Sequence, residues 1–261
     1  MSKSIFKNIF LYLVFAFLFL PIIVLVVYSF NSSSMNIIFE NFTFDWYHRL
    51  FENSDLIESF VNTLIVASVS TITSTIIGTI SAYGLYKYHF PGKNLINGLI
   101  YVPIVIPEIV LGISLLSIFT LMKLELSLFT IILAHIAFSI PFVIVSVRST
   151  LNNDIKVLEE SAKDLGASNY TIFKEIVLPT IMPAIISGAT LAFTLSLDDV
   201  VISYFTAGPG SNTLPLYIYS MIKTGITPDV NALSTLMMLA VFTILISITI
   251  YQSHKIRRKA L

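Results

Sequence analysis

Four ionisable side chains lie inside long apolar stretches of this 261-residue chain: Glu108, His135, Asp198 and Asp199. A charge near the centre of a bilayer costs on the order of 3 kcal/mol, whereas one leucine-like side chain returns only about 0.5 kcal/mol. The three carboxylates therefore indicate a pathway for a positively charged solute, unless they are paired inside a helix bundle or kept protonated by burial. For His135 the structural interpretation is favoured, because one hydrogen bond to a neighbouring helix satisfies a lone imidazole.

The sequence offers little material for catalysis. It contains no cysteine, which excludes disulfides, thiolate metal sites and cysteine nucleophiles. It contains neither a P-loop pattern nor a His-Glu-x-x-His pattern, so it has no such ATP-phosphate cradle or zinc-protease helix. The other histidines, His48, His89 and His254, have no metal-ligand spacing. We therefore expect no catalytic residue, no metal and no cofactor, in a chain that is not itself an enzyme.

Long apolar segments must position the four ionisable residues. Of all residues, 56% are hydrophobic and only 11% are charged, which is too few charges to cover a soluble domain of this length. Six stretches can each cross the roughly 30 Å hydrocarbon core of a bilayer. We expect one all-α membrane domain over residues 1–261, with transmembrane helices at 9–30, 60–86, 95–121, 127–147, 184–205 and 233–251. The first is expected to be uncleaved, because it is longer than a typical signal-peptide core.

The distribution of basic residues predicts the orientation of this domain. With six spans both termini lie on one side of the membrane, and the positive-inside rule places the more basic side in the cytoplasm. Only Arg49, Lys123 and Lys223 of the fifteen basic residues fall on the opposite side. Both termini are therefore expected to be cytoplasmic, with residues 31–59 and 206–231 outside.

Two of the predicted spans carry features that affect packing. Small residues recur every four positions in the second span, which favours a packing face within the bundle over a face on a transport path. These residues are Ser70, Ser74, Gly78 and Ala82. Pro103 and Pro107 are expected to bend the third span. Counted along straight helices, Glu108 and Asp198 lie about 20 Å from the inner ends of their spans, at matching depth.

The segment between the fourth and fifth spans predicts a cytoplasmic helix-turn-helix. An apolar stripe at helical spacing marks its first helix. The stripe consists of Leu151, Ile155, Leu158, Ala162 and Leu165. Asn153 or Asp154 is expected to cap the start of this helix, and Gly166 to end it.

A second short helix is expected to follow, capped by Ser168 and ended by Pro179, with Pro183 opening the fifth span. Its apolar side consists of Ile172, Phe173 and Ile176. The whole segment is too polar to enter lipid and is expected to present an apolar knob at its tip. Such a surface suits docking to a soluble partner.

This segment resembles the EAA loop of ABC-importer permeases. The likeness rests on Glu160-Ser161-Ala162, on Gly166 six residues after Glu160, and on Ile176-x-Leu178-Pro179, with Ser161 in place of the usual alanine. In that family the loop forms coupling helices that sit in a cleft of the ATPase subunit. The resemblance implies a type I ABC-importer permease fold with a coupling loop at 151–183. It also implies ATPase-coupling roles for Glu160, Ala162, Gly166, Ala167, Phe173, Ile176 and Pro179.

Further motifs extend the resemblance over most of the chain. Ser59-Phe60-x-Asn62-Thr63-Leu64 resembles the opening of the family's second span. Ser196-Leu197-Asp198-Asp199, Leu214-Pro215-Leu216 and Pro228-Asp229-Val230-Asn231-Ala232-Leu233 resemble PotC-type subunits of spermidine/putrescine importers. This narrower resemblance implies half of a polyamine path through a bacterial inner membrane, on which Glu108, Asp198 and Asp199 are the expected substrate-pathway residues. The implied partners are an ABC ATPase that hydrolyses ATP, a second homologous permease, a periplasmic or lipid-anchored polyamine-binding protein and membrane lipid, but no nucleic acid.

Other classes of protein remain open at this point. A secondary transporter often has repeated halves, which these two halves are not, and it has no reason to carry an exposed docking segment. An integral membrane enzyme needs catalytic residues clustered at one interface, and none is visible in the sequence. A permease for a different solute is the nearest alternative, although an anion permease is expected to offer basic groups or helix N-termini to its cargo.

The predicted orientation can be tested directly, because the chain has no native cysteine. Single cysteines at Asn53 and Ser211 are expected to react with a membrane-impermeant thiol reagent in intact cells, since both lie on the predicted outer side. Cysteines at Asn153 and Ser253 should react only after the membrane is permeabilised. The opposite labelling pattern would contradict an orientation with both termini in the cytoplasm.

Overall fold

The computed structural model describes residues 2–33, 38–221 and 228–259, with side chains for 7–33, 38–221 and 228–243. Over these residues the chain is helical and forms no strand. In order, the helices are α1 (Ser2–Tyr28), α2 (Asp45–Glu52), α3 (Ser54–Lys87), α4 (Lys93–Leu99), α5 (Val102–Val105), α6 (Glu108–Leu121), α7 (Leu128–Arg148), α8 (Asn153–Asp164), α9 (Asn169–Ile172), α10 (Leu178–Asp198), α11 (Val201–Thr206), α12 (Leu214–Ser220) and α13 (Pro228–Lys259). Lys223, the terminal basic side chains and parts of both predicted outer segments lie outside the described residues.

The chain divides into two compact units, one formed by residues 1–57 and 220–261 and the other by residues 58–219. In the first unit, α1 exposes apolar side chains along Lys7–Tyr28, as contact with lipid tails requires. The indole Nε1 of Trp46 donates a 2.5 Å hydrogen bond to the carbonyl of Asn31. The amide of Asn53 donates a 2.5 Å hydrogen bond to Asp229 and so joins the end of α2 to the start of α13.

In the second unit, α7 packs closely against both α3 and α10. A Cβ atom on Gly78 of α3 would lie 2.7 Å from Cβ of Val143, and one on Gly188 of α10 would lie 3.2 Å from Cα of the same valine. Val143 of α7 is fully buried between these two glycines. Ser70, Ser74 and Ala82 are buried as well. The prediction that the small residues of the second span form a packing face is therefore confirmed.

The predicted spans agree with the helices in most positions. Among the described residues, α1, α3, α7 and α9 through α10 are long and apolar enough to cross a membrane. The bent segment from α4 to α6 gives a fifth crossing if it is counted as one span. In α13 the described apolar part is only Pro228–Thr243, so the sixth crossing stays a prediction.

Two predicted spans are interrupted. The third is bent by 110° between Val105 and Glu108, which confirms the break expected at its prolines. The predicted distance of Glu108 from the inner end of its span was therefore wrong, because it was counted along a straight helix and the chain bends before Glu108. The fifth ends at Asp198 instead of continuing to residue 205, because Asp199 is extended, with φ −65° and ψ 127°.

The close approach of α3 and α7 predicts a large effect of a single methyl group. Gly78→Ala is expected to destabilise the protein by about 1–3 kcal/mol, because the new Cβ overlaps the Cβ of Val143, which cannot rotate away. Thermal unfolding of the purified protein in detergent measures this loss. Gly84→Ala on the same helix is the matched control, since no atom lies within 4 Å of its added Cβ. Equal unfolding midpoints for the two variants would contradict the tight α3–α7 contact.

Candidate functional site

Helix α8 begins and ends with well-formed caps. The side chain of Asn152 accepts hydrogen bonds from the backbone N–H groups of Asp154 and Ile155, at 3.1 and 3.2 Å. The expected cap at Asn153 or Asp154 was thus wrong by one or two positions, because both residues already lie in the helix. Gly166 ends the helix with φ +85°, and the N–H of Ala167 reaches back to the carbonyl of Ala162 at 3.0 Å. This is the left-handed glycine cap that the sequence predicted.

The second helix of the loop does not stop where the sequence predicted. Ser168 caps α9 as expected, accepting a 3.1 Å hydrogen bond from the N–H of Thr171. The chain then passes through a π-turn, Phe173–Val177, directly into α10. Pro179 does not end a helix and Pro183 does not begin one. Pro179 lies at the second position of α10, directly after the π-turn.

The loop has one face packed on the bundle and one exposed face. The packed face includes Ile155, Glu159 and Ile172, which are buried. The exposed face includes Leu158, Leu165 and Tyr170, and Leu165 is 89% exposed. The expected apolar stripe was therefore wrong at Leu158 and Leu165, where Glu159 takes the inward position instead.

The seven predicted ATPase-coupling residues divide between the two faces. Glu160, Gly166 and Pro179 are exposed. Ala162, Ala167 and Phe173 pack against the apolar core of the second unit, and Ile176 is half-buried. The apolar side of the second helix lies against the bundle at Ile172 and Phe173, and Ile176 is half-buried. The exposed apolar tip of the loop is formed by Leu165 and Tyr170.

Sequence reasoning missed an ionic contact between the loop and α3. Glu159 accepts a 3.0 Å hydrogen bond from the hydroxyl of Tyr83 and pairs with the ammonium of Lys87. The ring of Tyr83 also packs against Phe173, with 5.0 Å between the ring centroids. The adjacent Glu160 is 62% exposed at its side chain and makes only a 3.9 Å pair with Lys156. The sequence signal for this contact was Glu159 itself, because it is a charged residue four positions after Ile155 and so lies on the same face of the helix.

A second polar cluster lies in the core of the same unit, around His135. Its Nδ1 lies 2.6 Å from the hydroxyl of Ser196, which lies 3.2 Å from the hydroxyl of Ser70. Its Nε2 lies 3.1 Å from the hydroxyl of Ser203 and 3.3 Å from a carboxylate oxygen of Asp199. The cluster joins α3, α7, α10 and α11 and confirms the structural interpretation of His135. Its serine, histidine and aspartate are buried from any substrate, so the arrangement connects helices and offers no accessible nucleophile.

The three predicted substrate-pathway carboxylates have different surroundings. Asp199 is buried and accepts hydrogen bonds from the N–H groups of Ile202 and Ser203, which caps α11. Asp198, one residue earlier, is exposed, and so is Glu108 at the start of α6. Near Glu108, α6 packs against α11 through Gly112, where a Cβ would lie 2.7 Å from the ring of Phe205. Within the described part of the chain no hydrogen bond or ion pair joins Glu108 to either aspartate.

The fold resembles that of solved ABC importers. It matches a chain of a bacterial ABC transporter involved in the import of the acidic polysaccharide alginate, with a TM-score of 0.74, 16% identity, and coverage of 97% of this chain and 96% of that chain. A chain of the MetNI methionine ABC transporter matches with a TM-score of 0.60 and 18% identity, covering 74% of this chain and 92% of that chain. At these identities the likeness establishes the fold alone, which is that of ABC-importer membrane subunits.

The sequence then gives the family. Residues 74–260 match the binding-protein-dependent transport system inner membrane component. The chain belongs to this family. It is 42% identical over 237 residues to the spermidine/putrescine transport system permease protein PotC of Haemophilus influenzae, covering 91% of this chain and 92% of that protein. It is 39% identical over 246 residues to the putrescine transport system permease protein PotI of Escherichia coli K12, covering 92% of this chain and 88% of that protein.

The buried cluster predicts that His135 is required for stability. His135→Leu leaves Ser196, Ser203 and Asp199 short of partners, and each unsatisfied buried polar group costs about 1–3 kcal/mol. We expect a lower unfolding midpoint in detergent and a lower protein level in the membrane. His89→Leu is the control, because His89 is exposed. A His135→Leu protein as stable as the wild type would show that the cluster contributes nothing to holding the helices together.

Proposed function

We propose that this chain is a membrane-spanning subunit of an ATP-binding-cassette importer and forms half of the path for polyamines such as spermidine and putrescine. The 42% identity to a spermidine/putrescine permease over 91% of the chain carries this proposal. ATP is hydrolysed on a separate subunit, since this chain has no phosphate-binding loop. The remaining partners are a second homologous permease and a periplasmic or lipid-anchored polyamine-binding protein.

The exposed face of the loop is the surface that we assign to the ATPase. Leu165 and Tyr170 present apolar area at the tip, and Glu160 adds an exposed charge on the same loop. The glycine cap and the π-turn fix this surface through backbone hydrogen bonds, so docking requires little ordering of the loop. We assign supporting roles to the other predicted coupling residues. These are the packed or half-buried Ala162, Ala167, Phe173 and Ile176 and the exposed Gly166 and Pro179.

The exposed acids suit a cationic cargo. A polyamine carries several ammonium groups, which are expensive to remove from water unless carboxylates meet them. Asp198 and Glu108 are exposed carboxylates on helices that belong to apolar stretches, and we assign them to the cargo path. We assign Asp199 a supporting role in this path, because its carboxylate oxygens already accept hydrogen bonds from the first N–H groups of α11.

A permease for another solute is the competing assignment. The chain is also 30% identical over 227 residues to the sulfate transport system permease protein CysT of Salmonella typhimurium, covering 81% of this chain and 82% of that protein. Sulfate is an anion, and its binding is favoured by basic groups or helix N-termini. The exposed acids at 108 and 198 favour a cation instead.

Uptake by the reconstituted complex tests the proposed function. Proteoliposomes that contain this chain, the ATPase and the second permease, supplied with the binding protein and ATP, should accumulate labelled spermidine but not labelled sulfate. Asp198→Asn and Glu108→Gln should each lower spermidine uptake by about tenfold, which corresponds to loss of one contact worth about 1.4 kcal/mol. Complex assembly and basal ATP hydrolysis should be retained.

Glu125→Gln serves as the control, because it removes an exposed carboxylate from the connection between α6 and α7. Uptake of sulfate in preference to spermidine would refute the polyamine assignment. Normal spermidine uptake by both pathway variants would remove Glu108 and Asp198 from the path while leaving the polyamine assignment intact.

A further inference from the structure

The end of α3 holds the loop at several points. Lys87 and Tyr83 bind the two oxygens of Glu159 in α8, one oxygen each. Tyr83 also packs on Phe173 of the π-turn, and the hydroxyl of Tyr86 lies 3.5 Å from the carbonyl of Asn152, the residue that caps α8. The last turns of α3 therefore contact the start of α8, its middle and the turn that follows α9.

The contact at Glu159 differs in kind from the other charges on α8. Glu159 is 4% exposed and both of its oxygens are engaged. Lys87 is also largely covered, with 17% of its side chain exposed, and its ammonium lies 5.6 Å from the centre of the Tyr83 ring. Separating a buried ion pair leaves a charge with neither water nor a partner, which is strongly unfavourable. When α8 is displaced, we therefore expect α3 to move with it, because the alternative is to break this ion pair.

Helix α3 extends from this contact to the buried cluster without a break. Ser70 lies seventeen residues before Lys87, or about 26 Å along the helix, and is bonded to Ser196 of α10. Ser196 in turn contacts His135 and lies two residues before the exposed Asp198. A continuous helix thus connects the loop to the end of α10, where the proposed cargo path lies.

We infer that the Lys87–Glu159 ion pair transmits the movement of α8 to α3 and so couples ATP hydrolysis to transport. The inference rests on the proposed function, because it requires α8 to move with a docked ATPase. Lys87 and Glu159 are positioning residues in this account and contact neither ATP nor cargo. If the contact couples the two processes, its loss lowers the number of solute molecules transported per ATP hydrolysed. If the contact only helps the loop to fold, its loss leaves that ratio unchanged in the protein that folds.

The test uses the reconstituted importer and measures spermidine transported per ATP hydrolysed. Glu159→Gln and Lys87→Met should both assemble with the ATPase yet lower this ratio by about tenfold, a typical size for coupling between sites. The reversed pair, Lys87→Glu with Glu159→Lys, should recover most of the loss, and Lys87→Arg should retain the wild-type ratio. Asp164→Asn removes an exposed charge from the same helix and should change nothing.

An unchanged ratio in both single variants would overturn the inference, as would reversed charges that recover nothing. Loss of assembly in the single variants would also overturn it, since the pair would then be needed only for folding. Glu160→Lys separates this result from the proposed function. If Glu160→Lys weakens ATPase association while Glu159→Gln transports normally, the docking face stands and only the ion-pair inference fails. If Glu160→Lys leaves association and uptake intact, the assignment of the docking face itself fails.

Discussion

Helices in hydrocarbon gain little by burying one apolar side chain against another, because lipid tails are equally apolar. They associate through close backbone approach and through hydrogen bonds between polar side chains. Both devices meet in the second unit of this chain. Gly78 and Gly188 admit Val143 from opposite sides, and His135 connects the hydroxyl groups of neighbouring helices. The arrangement of the loop and of the exposed acids depends on this core, since both are attached to the helices that it joins.

The chain twice places two acids side by side and gives them different surroundings. Glu159 is buried against α3, whereas Glu160 is exposed. Asp199 caps α11 and contacts His135, whereas Asp198 is exposed. Consecutive residues of a helix are rotated by about 100°, so Glu159 faces the protein while Glu160 faces away. At the second pair the helix ends at Asp198, and the extended backbone of Asp199 separates the directions of the two side chains. The buried member sets the position of the backbone, and the exposed member remains available to a partner or a cargo.

The features that sequence predicted correctly are governed by local backbone chemistry. Gly166 ends α8 because a positive φ is unfavourable for other residues, and the break near Pro107 follows from the missing N–H and the ring of proline. The small face of α3 was likewise visible from its four-residue period. Each of these patterns acts over a few residues, so the sequence contains all of the information needed.

The features that sequence missed depend on neighbours far along the chain. Glu159 is satisfied in its inward position by Tyr83 and Lys87, which lie 76 and 72 residues earlier. Pro179 fails to end a helix because a π-turn precedes it, and Asp199 breaks the fifth span because its carboxylate is held by α11 and His135. Periodicity assigns a residue to a face, but it cannot state which atoms lie opposite. Sequence patterns therefore predicted the helices and the glycine cap of the loop, but not the contacts that its side chains make.

Val143 also limits how the second unit can change shape. Its side chain lies against Gly78 of α3 and its Cα lies against Gly188 of α10, so both close contacts oppose sliding of α7 past these helices. We therefore expect these three helices to move together. Within the predicted spans of this unit the helices already break near Pro107 and at Asp199. We expect changes in the shape of this unit to occur at these two breaks, and an exposed acid lies next to each of them.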